Sequence, residues 1–298
     1  MWIRQIASKV LREFANNRRR VISDWRIHIV ARRLARAENA PLPDERKAMA
    51  IRGELSLLGE LASVEGVNGV YTINTAYANL LEVSEEQIVQ EANPWAYFGY
   101  LTAMAYHGIT DLSPKEIYAI TSWSDKSGRL PLGTTVEDWV DVTKLLTSRM
   151  PKRVGQVPIQ WTQPSVDRTF GIIVGHSFGI PVYITDVERT LIDVLNAPGK
   201  SGGIAKVFEA WRAAEDFDVA KVVSYADAYD NAILRQRVGF VLEKLGRSHP
   251  RLTAWQSGLK RGGSVKLVAS SPYSDTFSVE WNLSLNVPPS VLAILEGS

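Results

Sequence analysis

The first 73 residues show a succession of apolar patterns typical of helices and strands, and this succession constrains the fold more than any other feature of the chain. Apolar residues recur at helical spacing over residues 2–16, which predicts an amphipathic helix there. A polar break follows, and the apolar pair Val21-Ile22 suits a short strand. Ser23 or Asp24 can cap a second helix, which two prolines end.

A third helix and a hairpin complete this order. Asp44 can cap a helix that runs from Glu45 to about Gly59 with its apolar residues facing inward. Two apolar runs then flank Asn68-Gly69, and this dipeptide is a strong signal for a two-residue hairpin turn. Helix, strand, helix, helix and hairpin in that order predict a winged helix-turn-helix domain.

Positive charge is concentrated in this predicted domain, which spans residues 1–80. Residues 1–53 hold 13 Lys and Arg against 5 Asp and Glu, a net charge of +8, whereas the whole chain carries only +2. We call residues 1–80 the head. A basic segment joined to a mildly acidic remainder is typical of a phosphate-binding domain attached to a domain that does not bind phosphate. The alternatives are a solvated helical face and a winged helix that binds protein; we favour double-stranded DNA as the partner.

The candidate DNA contacts lie on three parts of the head. The N-terminal end of the third helix is the part of this fold that enters the major groove, and the arginine run before the strand can clamp phosphates. The hairpin, or wing, contacts the DNA backbone. The predicted contacts are Arg18, Arg19 and Arg20 in the arginine run, Arg46, Lys47 and Arg52 on the third helix, and Asn68 in the wing.

The absence of cysteine excludes disulfides, iron–sulfur clusters and cysteine-ligated zinc. The four histidines are scattered without ligand spacing, so we predict no metal and no cofactor. The first residues lack the apolar segment of a signal peptide, and no apolar run is long enough to span a bilayer. We therefore expect a cytoplasmic protein that does not enter membranes.

Beyond the head, the patterns predict a larger mixed α/β domain, so the expected fold class is α+β. Residues 81–92 form a predicted connecting helix, and residues 93–298 form the second domain. Thr185 and Glu188 have the spacing of a capping box at a helix start. The second domain is predicted to contain helices at 95–107, 186–195, 204–214 and 218–245, and strands at 117–121, 171–174, 182–185, 265–269 and 277–285.

Two stretches of this second domain resemble a known family. In residues 95–121 an apolar helix is followed by His-Gly, Thr-Asp and Pro-Lys-x-Ile-Tyr. The second stretch is Ile184-Thr-Asp-x-Glu-Arg-Thr-Leu-Ile-Asp193, followed by a proline and a Gly-Gly pair. Together they resemble the effector domain of the AbiEi antitoxins over most of residues 95–245, and that family also carries a winged helix in front.

This resemblance implies the antitoxin of a type IV toxin–antitoxin pair from a bacterial abortive-infection locus. Such antitoxins repress their own promoter through the winged helix. They counter a nucleotidyltransferase toxin without forming a stable complex with it. The alternative is a ligand-responsive transcriptional regulator without a toxin partner.

The antitoxin motif carried over by this resemblance comprises Asp186, Glu188, Arg189 and Asp193. A structural role is the competing interpretation. Carboxylates at 186 and 188 suit the positive end of a helix dipole, and an Arg-Asp pair four residues apart supports a helix. We favour the structural role over direct contact with a target.

Two motifs look catalytic but lack the context that catalysis needs. Gly175-His-Ser177-Phe-Gly179 matches the G-x-S-x-G pattern of serine hydrolases, but a strand follows it, so Ser177 is predicted to lie at a hairpin tip. Gly199-Lys-Ser-Gly-Gly lacks the spacing and the preceding strand of a phosphate-binding loop. The Gly-Ser and paired carboxylates of a nucleotidyltransferase are missing as well, so we predict that the chain is not an enzyme.

Overall fold

The computed structural model describes residues 2–121, 129–142, 150–164, 168–259 and 263–297. The chain divides into two compact units. Unit 1 comprises Met1–Tyr97, Lys115–Asp167 and Val174–Tyr183, and unit 2 comprises Phe98–Pro114, Arg168–Ile173 and Ile184–Ser298. This division differs from the predicted linear boundary at residue 93, because the strands between residues 117 and 162 pair with one another inside unit 1.

The head, which lies in unit 1, begins with three helices and a strand that match the predicted ones. They are α1 (Trp2–Asn16), β1 (Val21–Ser23), α2 (Asp24–Ala37) and α3 (Glu45–Leu57). Ser23 caps α2 and Asp44 caps α3, each by accepting a hydrogen bond from a backbone N–H of the first turn. The apolar faces of the helices meet in a core that contains Val10, Phe14 and Ile51.

Two further strands, β2 (Leu61–Ser63) and β3 (Val70–Ile73), form the wing. The strand order is β1-β3-β2, and both pairings are antiparallel. Tyr71 lies opposite Ile22 on one side of β3 and opposite Ser63 on the other. The predicted winged helix-turn-helix is therefore present, with β1 as the third strand of its sheet.

The predicted two-residue turn at Asn68-Gly69 is wrong. The connection between β2 and β3 takes residues 64–69, and only Gly69 of the predicted pair has a positive φ, +73°. Val67 is buried in this connection and donates its N–H to the Val64 carbonyl at 3.2 Å. Burial of the valine side chain favours the longer loop, because a tight turn would leave it in solvent.

The rest of unit 1 contains the predicted connecting helix and a set of strands. In chain order these are α4 (Glu85–Ala92), Tyr97 of β4 (Tyr97–Phe98), β5 (Ile117–Ile120), β6 (Arg153–Val154) and β7 (Val157–Thr162). β5 pairs in parallel with β7, and β6 pairs with β7 antiparallel. The sequence patterns miss β7, because Pro158 interrupts a run that would otherwise be typical of a strand, and with β7 they miss its two-residue partner β6.

The hairpin predicted around Ser177 is confirmed. Strands β8 (Ile172–Ser177) and β9 (Ile180–Thr185) are joined by Phe178 and Gly179 alone. Both linking residues have positive φ, +45° and +77°, as a two-residue hairpin turn of the primed type requires. Ser177 lies at the hairpin tip, as predicted.

Unit 2 is mainly helical. Its helices are α5 (Tyr100–Tyr106), α6 (Val187–Asn196), α7 (Ile204–Ala213), α8 (Val219–Ala228), α9 (Ala232–Lys244), α10 (Pro250–Ser257) and α11 (Pro289–Glu296). A small sheet follows the order β10 (Val265–Lys266), β12 (Leu283–Ser284), β11 (Phe277–Ser278), with one parallel and one antiparallel pairing. The mixed α+β class predicted from the sequence is confirmed.

The helix predicted at 95–107 begins only at Tyr100. Tyr97 and Phe98 are extended instead, and Phe98 pairs in parallel with Ile184 of β9. Both side chains are fully buried. Sheet pairing therefore overrides the helical spacing of this apolar run.

The single helix predicted at 218–245 is two helices, α8 and α9. Asp230 adopts a left-handed conformation with φ +50°, and Asn231 then caps α9 by accepting hydrogen bonds from the N–H groups of Ile233 and Leu234. The strand predicted at 277–285 is likewise two strands, and Asn282 before β12 is left-handed.

The core of unit 2 surrounds α6. Leu191, Leu195, Phe208, Trp211 and Phe240 contribute fully buried side chains to it. The buried Trp281 packs directly on Gly239 of α9, where a Cβ atom would lie 2.1 Å from the ring.

No described helix has the length and apolar character needed to cross a membrane.

Candidate functional site

The N-terminal end of α3 presents two of the predicted DNA contacts to solvent. Asp44 accepts a hydrogen bond from the Lys47 N–H at 2.9 Å, and this bond holds the pKa of the Asp44 carboxyl below its usual value. Arg46 and Lys47 on the first turn are both exposed. The Lys47 ammonium lies 5.8 Å from the centre of the Trp2 ring. The first turn of α3 therefore carries two accessible cations.

Further along α3 the solvent-facing side chains are not basic. Met49 and Leu57 are exposed, Leu57 by 86%, and a Cβ atom on Gly53 would meet nothing within 4 Å. Arg52 is half-buried, pairs with Asp24 at 3.7 Å and lies over the Tyr71 ring. The basic surface of α3 is thus confined to its first turn, and Arg52 contacts the wing sheet.

Only the first arginine of the run at 18–20 is exposed. Arg19 donates to the Glu91 carboxylate at 2.9 Å, and burial, together with the neighbouring Arg26, lowers the pKa of Arg19 to about 10. Arg20 donates to the Leu81 carbonyl. Arg18 remains at the surface in a left-handed conformation, φ +50°. Two of the three arginines predicted to contact phosphates are therefore engaged in hydrogen bonds within unit 1.

Arginines of α2 are also engaged inside unit 1. Arg26 donates to Glu91 at 2.6 Å and to the Leu132 carbonyl at 3.0 Å. Arg33 forms two hydrogen bonds with Asp138, at 3.0 and 2.5 Å. Much of the positive charge counted in the head therefore stabilises unit 1, and the exposed remainder is smaller than the sequence total indicates.

The wing has no basic residue of its own. Asn68 is exposed, as a DNA contact requires, but Glu65 is the sole charged residue of residues 61–73. The turn between β6 and β7 lies against the wing, and the Gly155 N–H donates to the Glu65 carbonyl at 3.2 Å. This turn brings the exposed residues Lys152 and Arg153 to the wing. Sequence reasoning misses both residues because it misses both strands.

In unit 2, α6 starts one residue later than predicted, and its cap is Asp186. The Asp186 carboxylate accepts the Arg189 N–H at 2.8 Å. The predicted capping box of Thr185 and Glu188 is wrong, because the Thr185 hydroxyl bonds instead to the Thr190 hydroxyl at 2.8 Å. The Glu188 carboxylate accepts the Asp218 N–H at 3.0 Å.

Lys221 of α8 joins the two carboxylates at the start of α6. Its ammonium lies 3.0 Å from Asp186 and 2.9 Å from Glu188. Although burial opposes the charge, the hydrogen bonds that the ammonium donates to these carboxylates raise the pKa of Lys221. Tyr225 donates to Asp186 at 2.9 Å, and burial together with this bond raises the pKa of Tyr225 to about 12. The cluster connects α6 to α8.

Arg189 and Asp193 form a buried ion pair in the next turn of α6. The Arg189 Nε lies 3.0 and 2.9 Å from the two Asp193 oxygens, and the side chains are 3% and 2% exposed. Arg189 also donates to the Phe170 carbonyl at 2.9 Å. Burial raises the pKa of Asp193, and the Arg189 charge opposes that rise. All four motif residues are buried, which supports the scaffold interpretation.

In the part of the chain that the structure describes, Ser177 is hydrogen-bonded at the hairpin tip, and the acidic groups and histidines do not form a metal-binding arrangement. The Ser177 hydroxyl donates to the Ser84 hydroxyl at 2.7 Å, and its carbonyl accepts from Gln87 at 2.7 Å. No three described His, Asp or Glu side chains converge as a metal ion would require. These contacts fix the hairpin tip to the start of α4.

Neither a protein-family model nor a curated protein matches this chain. Among solved structures it is similar to the crystal structure of the RV2827C protein from Mycobacterium tuberculosis, with a TM-score of 0.50 and 15% sequence identity. The similarity covers 94% of this chain and 90% of that one. The two proteins share a fold, and at this identity the likeness extends no further.

Proposed function

We propose that this chain is a transcriptional repressor of its own promoter and the antitoxin of a type IV toxin–antitoxin pair, acting in the cytoplasm. The observation that supports the first part is the winged helix of unit 1, with Arg46 and Lys47 exposed on the first turn of α3. That turn is the part of the fold that reaches base edges in the major groove.

The exposed residues divide into two kinds of DNA contact. A guanidinium at position 46 can form two hydrogen bonds with a guanine edge, while the Lys47 ammonium acts as a point charge on guanine or phosphate. Arg18 and the Asn68 amide lie outside α3 and are suited to the phosphate backbone. Arg19, Arg20 and Arg52 support unit 1 and contact DNA only if their internal bonds open.

The antitoxin part of the proposal rests on the resemblance of residues 95–121 and 184–193 to the AbiEi effector domain. In unit 2 the motif residues form the start of α6 and its buried ion pair, so they shape the unit from within. A target would meet the surface that this scaffold supports. Neutralisation without a stable complex is compatible with that arrangement, because the motif presents no exposed charge cluster for the toxin.

The DNA-binding part is tested by titrating the full-length protein with the duplex upstream of its own coding sequence and with a random duplex. We expect affinity to fall steeply with salt, since phosphate neutralisation releases counterions. Arg46→Ala should remove most of the discrimination between the two duplexes, by about 1–3 kcal/mol. Lys47→Ala should weaken binding to at least one of them.

Lys115→Ala is the matched control, because Lys115 is an exposed lysine of unit 1 outside the head. It removes the same charge and should leave the discrimination unchanged. Equal affinity of wild type and Arg46→Ala for both duplexes across the salt range contradicts the assignment of α3 as the recognition helix.

A further inference from the structure

The wing of this protein has no positive charge of its own, and its one predicted DNA contact is the exposed Asn68 amide. Residues 61–73 contain no Lys or Arg, and their one charge is the Glu65 carboxylate, whose side chain is 65% exposed. Phosphate contacts in protein–DNA complexes come mainly from Lys, Arg and polar donors. An exposed carboxylate at this place repels the DNA backbone, so the wing needs positive charge from another part of the chain.

The turn between β6 and β7 supplies that charge at the wing. Gly155 has φ +54° in the first position of this two-residue turn, which leaves its N–H free to donate to the Glu65 carbonyl at 3.2 Å. The approach is close: a Cβ atom on Gly66 would lie 3.0 Å from the Arg153 carbonyl oxygen. The turn therefore packs against the wing backbone.

The basic residues that lead into this turn have a hydrogen-bonded backbone and exposed side chains. The Lys152 carbonyl accepts the Ile159 N–H at 3.0 Å, and the preceding Pro151 carbonyl accepts the Trp161 indole N–H at 2.7 Å. The Lys152 and Arg153 side chains are exposed, Arg153 by 53%. Two exposed cations on a hydrogen-bonded backbone are suited to the phosphates of the DNA backbone, whose positions vary little with sequence.

Arg153 is held by Glu65 only weakly. Their charged atoms are 3.4 Å apart in an exposed ion pair, and such pairs contribute little to stability. A DNA phosphate offers the guanidinium a charge-assisted hydrogen bond that can replace this contact.

We propose that Lys152 and Arg153 form, with the wing, a second DNA-backbone site, which we call the wing-tip patch. Within it, Glu65 competes with phosphate for Arg153 and so limits the affinity for duplex DNA. This inference rests on the proposed DNA-binding function and adds to it residues far from the head in sequence.

The test measures binding of the full-length protein to a random-sequence duplex over a range of salt concentrations. Lys152→Gln and Arg153→Gln should each weaken binding. Each should also reduce the magnitude of the negative slope of log K against log salt by about 0.9, the value for one lost phosphate contact. Glu65→Gln should change affinity in the opposite direction, because it removes a repulsive charge and releases Arg153. Lys115→Gln removes one charge elsewhere in unit 1 and should leave the slope unchanged.

The outcomes separate this inference from the proposed function. The wing-tip patch is overturned if Lys152→Gln and Arg153→Gln both keep the wild-type salt dependence while Arg46→Ala still loses discrimination. That result leaves the DNA-binding proposal intact. Absence of binding by the wild-type protein at low salt overturns both. Unchanged or weaker binding by Glu65→Gln contradicts the competition between Glu65 and phosphate, and this variant keeps the turn and its glycine intact.

Discussion

At the scale of single residues, burial separates the predicted site residues into two groups. Arg18, Arg46, Lys47 and Asn68 are exposed, so they are available to a ligand. The antitoxin motif is buried, and its charges are satisfied within unit 2. Substitutions in the first group should change binding with little effect on stability, whereas substitutions in the motif should do the reverse.

Arg189→Ala should destabilise unit 2 by about 3–5 kcal/mol, because it leaves the Asp193 carboxylate buried without its partner. Adding Asp193→Asn to this variant should recover part of the loss, since the stranded charge is removed. Both effects are read from the free energy of unfolding in urea.

The matched control is Arg251→Ala, which breaks an exposed arginine–aspartate pair with Asp227 and should cost no more than about 1 kcal/mol. An Arg189→Ala protein as stable as wild type, but unable to protect against the toxin, would show that Arg189 contacts a target and that the scaffold interpretation is wrong.

At the scale of elements, local signals predict what local interactions determine. Helical spacing predicts α1 and α3, and the Asp44 cap predicts where α3 begins, because these signals come from residues close together in the sequence. β4 and β7 escape prediction, because their parallel partners, β9 and β5, lie far away in the sequence. The same reason explains the candidate site: no local pattern shows that Arg19 pairs with Glu91, 72 positions away.

Gly239→Ala should destabilise unit 2 although alanine is the better helix former. The added Cβ would lie 2.1 Å from the buried Trp281 ring, and overpacking of this kind costs about 1–3 kcal/mol or more, beyond the roughly 1 kcal/mol that helix propensity returns. Gly53→Ala on α3 is the control, because the added Cβ meets nothing within 4 Å. This substitution should stabilise the protein, since alanine is the better helix former. Thermal unfolding followed by circular dichroism distinguishes the two; a more stable Gly239→Ala protein contradicts the packing of α9 on Trp281.

At the scale of the whole molecule, we assign different tasks to the two units. Unit 1 contains the winged helix and the exposed cations, and unit 2 contains the stretch that resembles the antitoxin effector domain. Because several arginines of the head bind carboxylates and carbonyls inside unit 1, its effective positive surface is smaller than the +8 of residues 1–53. We therefore expect DNA binding that depends on a few exposed contacts and is lost readily when two of them are removed.

The most direct test of this assignment measures repression and protection in the same cells with one full-length variant, Arg46→Ala with Lys47→Ala. The cells carry a reporter under the protein's own promoter and an inducible gene for the proposed nucleotidyltransferase toxin. We predict that the double variant loses repression of the reporter and still rescues growth as well as wild type does. Loss of rescue by a double variant that is folded and as abundant as wild type contradicts this division of tasks between the units. Repression that persists without the two cations contradicts it as well.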